Sequence, residues 1–225
     1  VIVLAAGSGN RFGKPKQFLE LTPGIRLVDA ALETAMSVTD NVVLVLPAGH
    51  VWEGRPVSVS VIGGKTRLDS VAAGLSALPR DQEVVVIHDS AHPLARKQTF
   101  LDVIGAIRNG ADAAVPLLPV SDVIKREDDD GHLTTVGRDG FGLAQMPMGF
   151  SAVLLMAAHI ERDLDEARIW EESMLVERAG GAVVAVQGSS MNVHVVMQED
   201  LELARTIAKA RAEGEIEPLP DRGPQ

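Results

Sequence analysis

Val1-Ile2-Val3-Leu4-Ala5-Ala6-Gly7-Ser8-Gly9-Asn10-Arg11-Phe12-Gly13-Lys14-Pro15-Lys16-Gln17-Phe18 opens the chain. A mostly β-branched apolar run followed by small residues predicts a buried strand ending in a glycine loop. Small residues let the backbone approach a ligand closely and leave N–H groups to meet phosphate oxygens. Arg11 and Lys16 bracket the same loop with two cations. That combination suits a triphosphate, which needs amides to hold it and cations for the charge that grows on its bridging oxygen. The stretch is not a Walker A loop, because Pro15 follows Gly13-Lys14. Nor is it the dinucleotide G-x-G-x-x-G pattern, because Phe12 stands where the third glycine belongs. An ordinary βα turn with surface cations is the plain alternative.

Outward from this stretch, short strand-like runs alternate with helical spacing to the end of the chain. Val1–Leu4, Val42–Leu46, Val57–Ile62, Val84–Ile87, Ala113–Pro116 and Ala182–Val186 read as strands, several apolar on both faces. Arg26–Ser37, Leu68–Leu78, Thr99–Asn109, Ala152–Arg162, Glu171–Ala179 and Glu199–Ala212 read as helices. The alternation predicts an α/β fold, doubly wound around a mostly parallel, Rossmann-like sheet, with ligands at the carboxyl ends of the strands. Pro119–Gly149 breaks the rhythm and is expected to form a projecting β-hairpin arm, since thirty structureless residues would be unusual in a compact domain. The organisation expected is one domain over residues 1–212, including the arm at about 119–149, and a flexible tail over 213–225.

Composition removes other classes. The 225 residues carry 21 Lys and Arg against 31 Asp and Glu, a formal charge of −10, which disfavours broad contact with a nucleic-acid backbone. Two Trp, five Phe and no Tyr are too few for a base-stacking platform. The absence of cysteine excludes disulfide scaffolds, thiolate zinc sites and cysteine nucleophiles. No apolar run approaches the ~20 residues of a membrane span. Val1–Leu4 has no basic flank and does not read as a signal peptide. A soluble, cytoplasmic protein is expected.

Two further loops bear on chemistry. Gly63-Gly64-Lys65-Thr66-Arg67-Leu68-Asp69-Ser70-Val71 places Ser70 in the first turn of a helix, within reach of a ribose or base, with Thr66 or Asp69 as possible caps. Val84-Val85-Val86-Ile87-His88-Asp89-Ser90-Ala91-His92-Pro93 ends a buried strand in a carboxylate. Beside two phosphate-type loops, Asp89 is the candidate Mg²⁺ ligand.

Together these segments, L-A-A-G-x-G-x-R…P-K-Q-F, G-G-x-T-R-x-D-S-V and V-x-H-D-x-A-x-P, resemble the 2-C-methyl-D-erythritol 4-phosphate cytidylyltransferase family. Pro119–Lys125, Gln145–Phe150, Leu175–Glu177, Asn192 and Glu199–Leu201 extend the likeness over almost the whole chain. The resemblance implies a homodimer locked by the β-arm. It also implies transfer of CMP from CTP to a phosphorylated polyol, first of all 2-C-methyl-D-erythritol 4-phosphate, with release of pyrophosphate and with Mg²⁺ as cofactor. Carried over by position, Ala5, Ala6, Gly7, Gly64, Ser70 and Ser90 would hold the nucleotide. Arg11 and Lys16 would stabilise the pentacoordinate transition state, and Asp89 would bind Mg²⁺ near the α-phosphate.

The departures from the family pattern cluster on the acceptor side. Val123 stands where the family has Thr, His92 where it has Arg, Met146 in place of the Thr of Q-T-P, Trp170-Glu171 in place of Thr-Asp, and His194 in place of Lys. The resemblance gives acceptor binding to Arg138, reaching into a partner's site, and to His92, Val123 and Trp170. His194 takes the catalytic position against the α-phosphate. Both histidines are expected near the ordinary pKa of ~6.5, open to being raised by a substrate phosphate. Two alternatives stay open: a paralogue acting on another polyol phosphate or phosphonate, and a non-catalytic nucleotide-binding dimer.

Overall fold

A computed structural model describes residues 1–9, 12–161 and 169–216. Arg11, the Arg162 end of one expected helix and residues 217–225 of the expected tail lie outside the described residues. In chain order the elements are β1 (Ile2–Leu4), a 3-10 turn (Lys16–Phe18), β2 (Glu20–Thr22), β3 (Ile25–Arg26), α1 (Leu27–Met36), β4 (Val43–Leu46), β5 (Val59–Ile62), α2 (Arg67–Ser76), β6 (Val84–Asp89), α3 (Lys97–Arg108), β7 (Ala113–Pro119), β8 (Ile124–Glu127), β9 (Leu133–Val136), β10 (Gly142–Ala144), β11 (Met148–Ser151), α4 (Ala152–Glu161), α5 (Glu172–Arg178), β12 (Val183–Gln187) and α6 (Gln198–Ala212). The chain divides into two compact units. One comprises Val1–Leu78, His88–Arg96 and Met191–Gln225, the other Pro79–Ile87 and Lys97–Ser190.

In the first unit β1, β4 and β5 pair in parallel, with Val3 opposite Leu44 and Leu44 opposite Ser60. β1 and β4 are buried along their length, as strands covered on both faces must be, whereas β5 is largely exposed. Parallel pairing sends the loops after β1 and β5 out of the same edge of the sheet. β6 enters this unit with His88 and Asp89. The Ser90 N–H and hydroxyl both donate to the Leu4 carbonyl, at 3.0 and 2.8 Å, so the segment after β6 leaves beside the loop after β1. α1 buries Leu27, Val28, Ala31, Leu32 and Ala35, a stripe at helical spacing. A core of Leu21, Leu27, Leu94, Val195, Leu201, Ala204 and Ile207 joins α6 to the first thirty residues and to the loops around 94 and 195.

In the second unit β7 is the central strand. β12 pairs with it in parallel from Val183 opposite Ala113 to Gln187 opposite Leu117. β11 and β10 run antiparallel to it, and β11 also pairs with the Val84–Ile87 part of β6. β8 and β9 form a separate hairpin, Ile124 opposite Val136 and Glu127 opposite Leu133, whose residues are mostly exposed. The Asp128 carboxylate closes its turn by accepting the His132 N–H at 2.8 Å.

The mostly parallel α/β class expected from the sequence holds, with one change of detail. Within the 119–149 stretch read as an arm, only 124–136 forms the hairpin, while β10 and the start of β11 return to the sheet. Met148-Gly149-Phe150-Ser151 carries no β-branched residue and gives no strand signal of its own. It is a strand because neighbours on both edges satisfy its backbone and because Met148 and Phe150 are buried. No helix among the described residues is long and apolar enough to cross a membrane.

Candidate nucleotide site

The loop after β1 is drawn tight. The Phe12 and Gly13 N–H groups donate to the Gly9 carbonyl at 2.9 and 2.8 Å. Gly9 adopts φ +70°, and a Cβ there would overlap the Lys14 carbonyl, so glycine is required on both counts. Gly7 and Ser8 are exposed, and no hydrogen bond among the described residues engages their N–H groups. Ala5, by contrast, is 2% exposed and donates its N–H to Val45 at 2.8 Å.

Gln17, which sequence reasoning passed over, lies beneath this loop. It is 3% exposed, and its Nε2 donates to the Ala5 carbonyl at 2.8 Å and to the Gly7 carbonyl at 2.9 Å. Its trace in the sequence is its place in the Pro15-Lys16-Gln17-Phe18 motif, with no sign there that the amide is buried rather than facing water.

The second loop closes against the first. A Cβ on Gly63 would collide with the Ala6 Cβ and the Ser70 hydroxyl, so glycine is what lets these loops touch. Thr66 caps α2, accepting the Asp69 N–H at 3.1 Å, and Asp69 accepts the Thr66 N–H at 3.2 Å, a reciprocal capping box. Ser70 is buried, with its hydroxyl on the Thr66 carbonyl at 3.0 Å, and Gly64 is exposed. Ser90 is 3% exposed and faces Leu4 as described above.

A run of hydrogen bonds connects Lys16 with Asp89. The Lys16 ammonium donates to the Val195 carbonyl. The Val195 N–H donates to the Ala91 carbonyl at 2.8 Å, and the Ala91 N–H donates to Asp89 Oδ1 at 2.9 Å. Asp89 Oδ2 faces Arg67 at 3.3 Å, both side chains being 29% exposed. Burial opposes the Asp89 charge, but Arg67, His92, the Ala91 amide and His194 outweigh it and hold its pKa below the ordinary carboxylate value. Asp200 shapes the same segment from α6, accepting the Val196 and Met197 N–H groups at 2.8 and 2.7 Å.

His92 and His194 meet edge to face, with ring centroids 4.4 Å apart. His194 is exposed, whereas His92 is 5% exposed and its Nδ1 has no hydrogen-bond partner among the described residues. Burial pushes the His92 pKa down to about 3 and that of the fully buried His88 to about 4. The ordinary pKa expected for His92 therefore does not hold: its ring is neutral at physiological pH.

Of the sequence-predicted residues, the first unit holds Ala5, Ala6, Gly7, Lys16, Gly64, Ser70, Asp89, Ser90, His92 and His194. The second holds the other acceptor candidates. Arg138 is exposed and donates to the Ser121 carbonyl, Val123 is 66% exposed, and Trp170 is 81% exposed just before α5. Among the described residues no three His, Asp or Glu side chains gather into a self-contained metal cage.

A mostly parallel α/β sheet with a glycine loop, a lysine and a carboxylate at its strand ends defines a nucleotidyltransferase-like fold. The family described as IspD, 2-C-methyl-D-erythritol 4-phosphate cytidylyltransferase, matches residues 1–210. The chain belongs to this family. Proteins of that name from Chromobacterium violaceum and Nocardia farcinica are 38% and 36% identical to it, over 94% of this chain and 98% and 94% of their own. The crystal structure of 2-C-methyl-D-erythritol 4-phosphate cytidylyltransferase from Thermus thermophilus matches with a TM-score of 0.80 at 30% identity, covering 92% of this chain and 98% of that one. That of 4-diphosphocytidyl-2C-methyl-D-erythritol synthase from Anaerococcus prevotii gives 0.78 at 28%, covering 92% and 96%.

Proposed function

We propose that this chain transfers the CMP group of CTP to 2-C-methyl-D-erythritol 4-phosphate and releases pyrophosphate. The observation that carries the reading is the hydrogen-bonded run from Lys16 through Val195 and Ala91 to Asp89, which ties a cation and an ionised carboxylate together beside the glycine loop. Membership of the family supports it. In the reaction an acceptor phosphate oxygen forms a bond to the α-phosphorus of CTP. The bond from that phosphorus to the bridging oxygen breaks, and pyrophosphate departs with the electron pair. No general base is needed, because the attacking oxygen is already anionic. The protein holds the reactants in line and neutralises the growing charge. Ala6, Gly7, Ser8 and Gly64 offer backbone to the nucleotide, Ala5, Ser70 and Ser90 anchor the adjoining segments through the carbonyls of Val45, Thr66 and Leu4, and Lys16 with Arg11 serves the transition state.

Mg²⁺ suits Asp89. The carboxylate is a hard oxygen ligand kept ionised by its surroundings, and Mg²⁺ is commonly held by one or two carboxylates together with substrate phosphates. When bound, the ion supplies positive charge against the α-phosphate oxygens. The working form is a homodimer paired through the β8–β9 hairpin, whose Leu133 is 62% exposed.

One observation favours a second reading, transfer to a different phosphorylated polyol. His92 brings no positive charge to the place where the family pattern has arginine. Incubation with CTP, Mg²⁺ and a panel of polyol phosphates, followed by pyrophosphate release, separates the two. Turnover of 2-C-methyl-D-erythritol 4-phosphate is the expected result. Turnover of another acceptor alone would establish the second reading, and CTP binding without turnover of any acceptor would overturn both.

A further inference from the structure

Gln17 has a geometry that the reaction scheme above does not use. Its buried amide faces two carbonyl oxygens of the glycine loop and donates to both. That orientation is chemically forced, because the opposite one would set the amide oxygen against two other oxygens. In a trans peptide the carbonyl of one residue and the N–H of the next point in opposite directions. Holding the Ala5 carbonyl inward therefore turns the Ala6 N–H away from Gln17. Holding the Gly7 carbonyl inward does the same for the Ser8 N–H. One side chain thereby aims two backbone donors, spaced by a single residue, to the same side of the loop.

We propose that Gln17 is a positioning residue for the nucleotide, setting the Ala6 and Ser8 N–H groups as a preformed pair of donors for its phosphate oxygens. The proposal rests on the nucleotide reading above. Ala6, Gly7 and Ser8 have too little side chain to hold this stretch by packing, and Gly7, with nothing within 4 Å of where its Cβ would be, adds a position free to reorient. Without the amide the loop must be ordered by CTP itself, at the expense of affinity. The acceptor makes no use of these donors, so its binding is unaffected.

Two variants test this, each compared with the wild type for CTP dissociation constant, KM of both substrates and melting temperature. Gln17→Met keeps the length and removes the donors. CTP should bind about tenfold or more weakly, as expected for losing hydrogen bonds that organise a site, with the acceptor KM within roughly twofold. Gln17→Glu places a carboxylate against two carbonyls. Its CTP affinity relative to wild type should recover as pH is lowered from about 9 to about 6, because a buried, protonated carboxyl can again donate one bond. CTP affinity unchanged in Gln17→Met, or equal losses for CTP and acceptor, would overturn the role. If that variant fails to fold, a relative affinity of Gln17→Glu that is flat across the pH range overturns it instead. A wild-type protein that does not bind CTP would bring down the nucleotide reading and this role together. Binding that is intact in the wild type and indifferent to Gln17 would remove this role alone.

Discussion

Lys16 donates its ammonium to a main-chain carbonyl, that of Val195, and this tells what its side chain is doing before substrate arrives. A cation parked on a neutral acceptor is held in place yet can be drawn off by a phosphate, to which its attraction is far stronger. Lys16→Ala should lower turnover by ~10²–10³-fold, on the scale of losing one transition-state donor, and unchanged turnover would sink that role. The residue types of this site were legible in the chain: a lysine, an arginine and a strand-end aspartate around glycines. Their bonding partners were not. Backbone carbonyls such as those of Val195 and Ala91 have no signature in a sequence, and Gln17 reads as an ordinary polar residue until its two acceptors are seen. His92 misled for the same reason. Its neutrality follows from burial, which comes from chain segments distant in sequence.

At the scale of elements, apolar runs announced themselves as strands, and strands without such a run did not. Val84–Ile87 and Ala113–Pro116 were visible from composition, whereas β10 and β11 exist through their pairing with β7 and β6. Tertiary context decided them, as it often does for strands of three or four residues. The β8–β9 hairpin is the converse case, since it was expected and is present, but it has few neighbours of its own. Val123 and Leu133 stand 66% and 62% exposed there, an arrangement suited to a second copy covering them. Sedimentation of the wild type should give twice the monomer mass. Leu133→Asp should shift the protein towards monomer, because an ionised carboxylate in a desolvated interface has no partner. A wild-type monomer at micromolar concentration would remove the dimer.

For the molecule as a whole, His88 and His92 set an acid limit. Their pKa values fall from about 6.5 in the unfolded chain to about 4 and about 3 in the folded one. Above pH ~6.5 both rings are neutral in either state. Below it the unfolded chain gains protons that the folded chain refuses, so stability falls as pH drops towards the folded values. The slope is ~1.4 kcal/mol per pH unit for each ring that titrates in this way. Urea unfolding in metal-free buffer between about pH 6 and pH 4.5 should show this decline, and His92→Asn should lessen it. A flat profile would mean that the rings are reached by solvent. The groups around His92 are Asp89, His194, His88 and Arg67, and only Asp89 favours its protonation. The formal charge of −10 says nothing of this, nor of the Lys16 and Arg67 cations held within one unit. The core that joins Leu21 and Leu27 to Leu201, Ala204 and Ile207 also has a consequence in time. Lys16 and Val195 lie 179 positions apart, so at ~5–20 residues per second a ribosome delivers the second about 10 to 35 s after the first. The nascent glycine loop must wait through that interval, shielded or unstructured, until Val195 and then α6 emerge to pack beside Leu21 and Leu27.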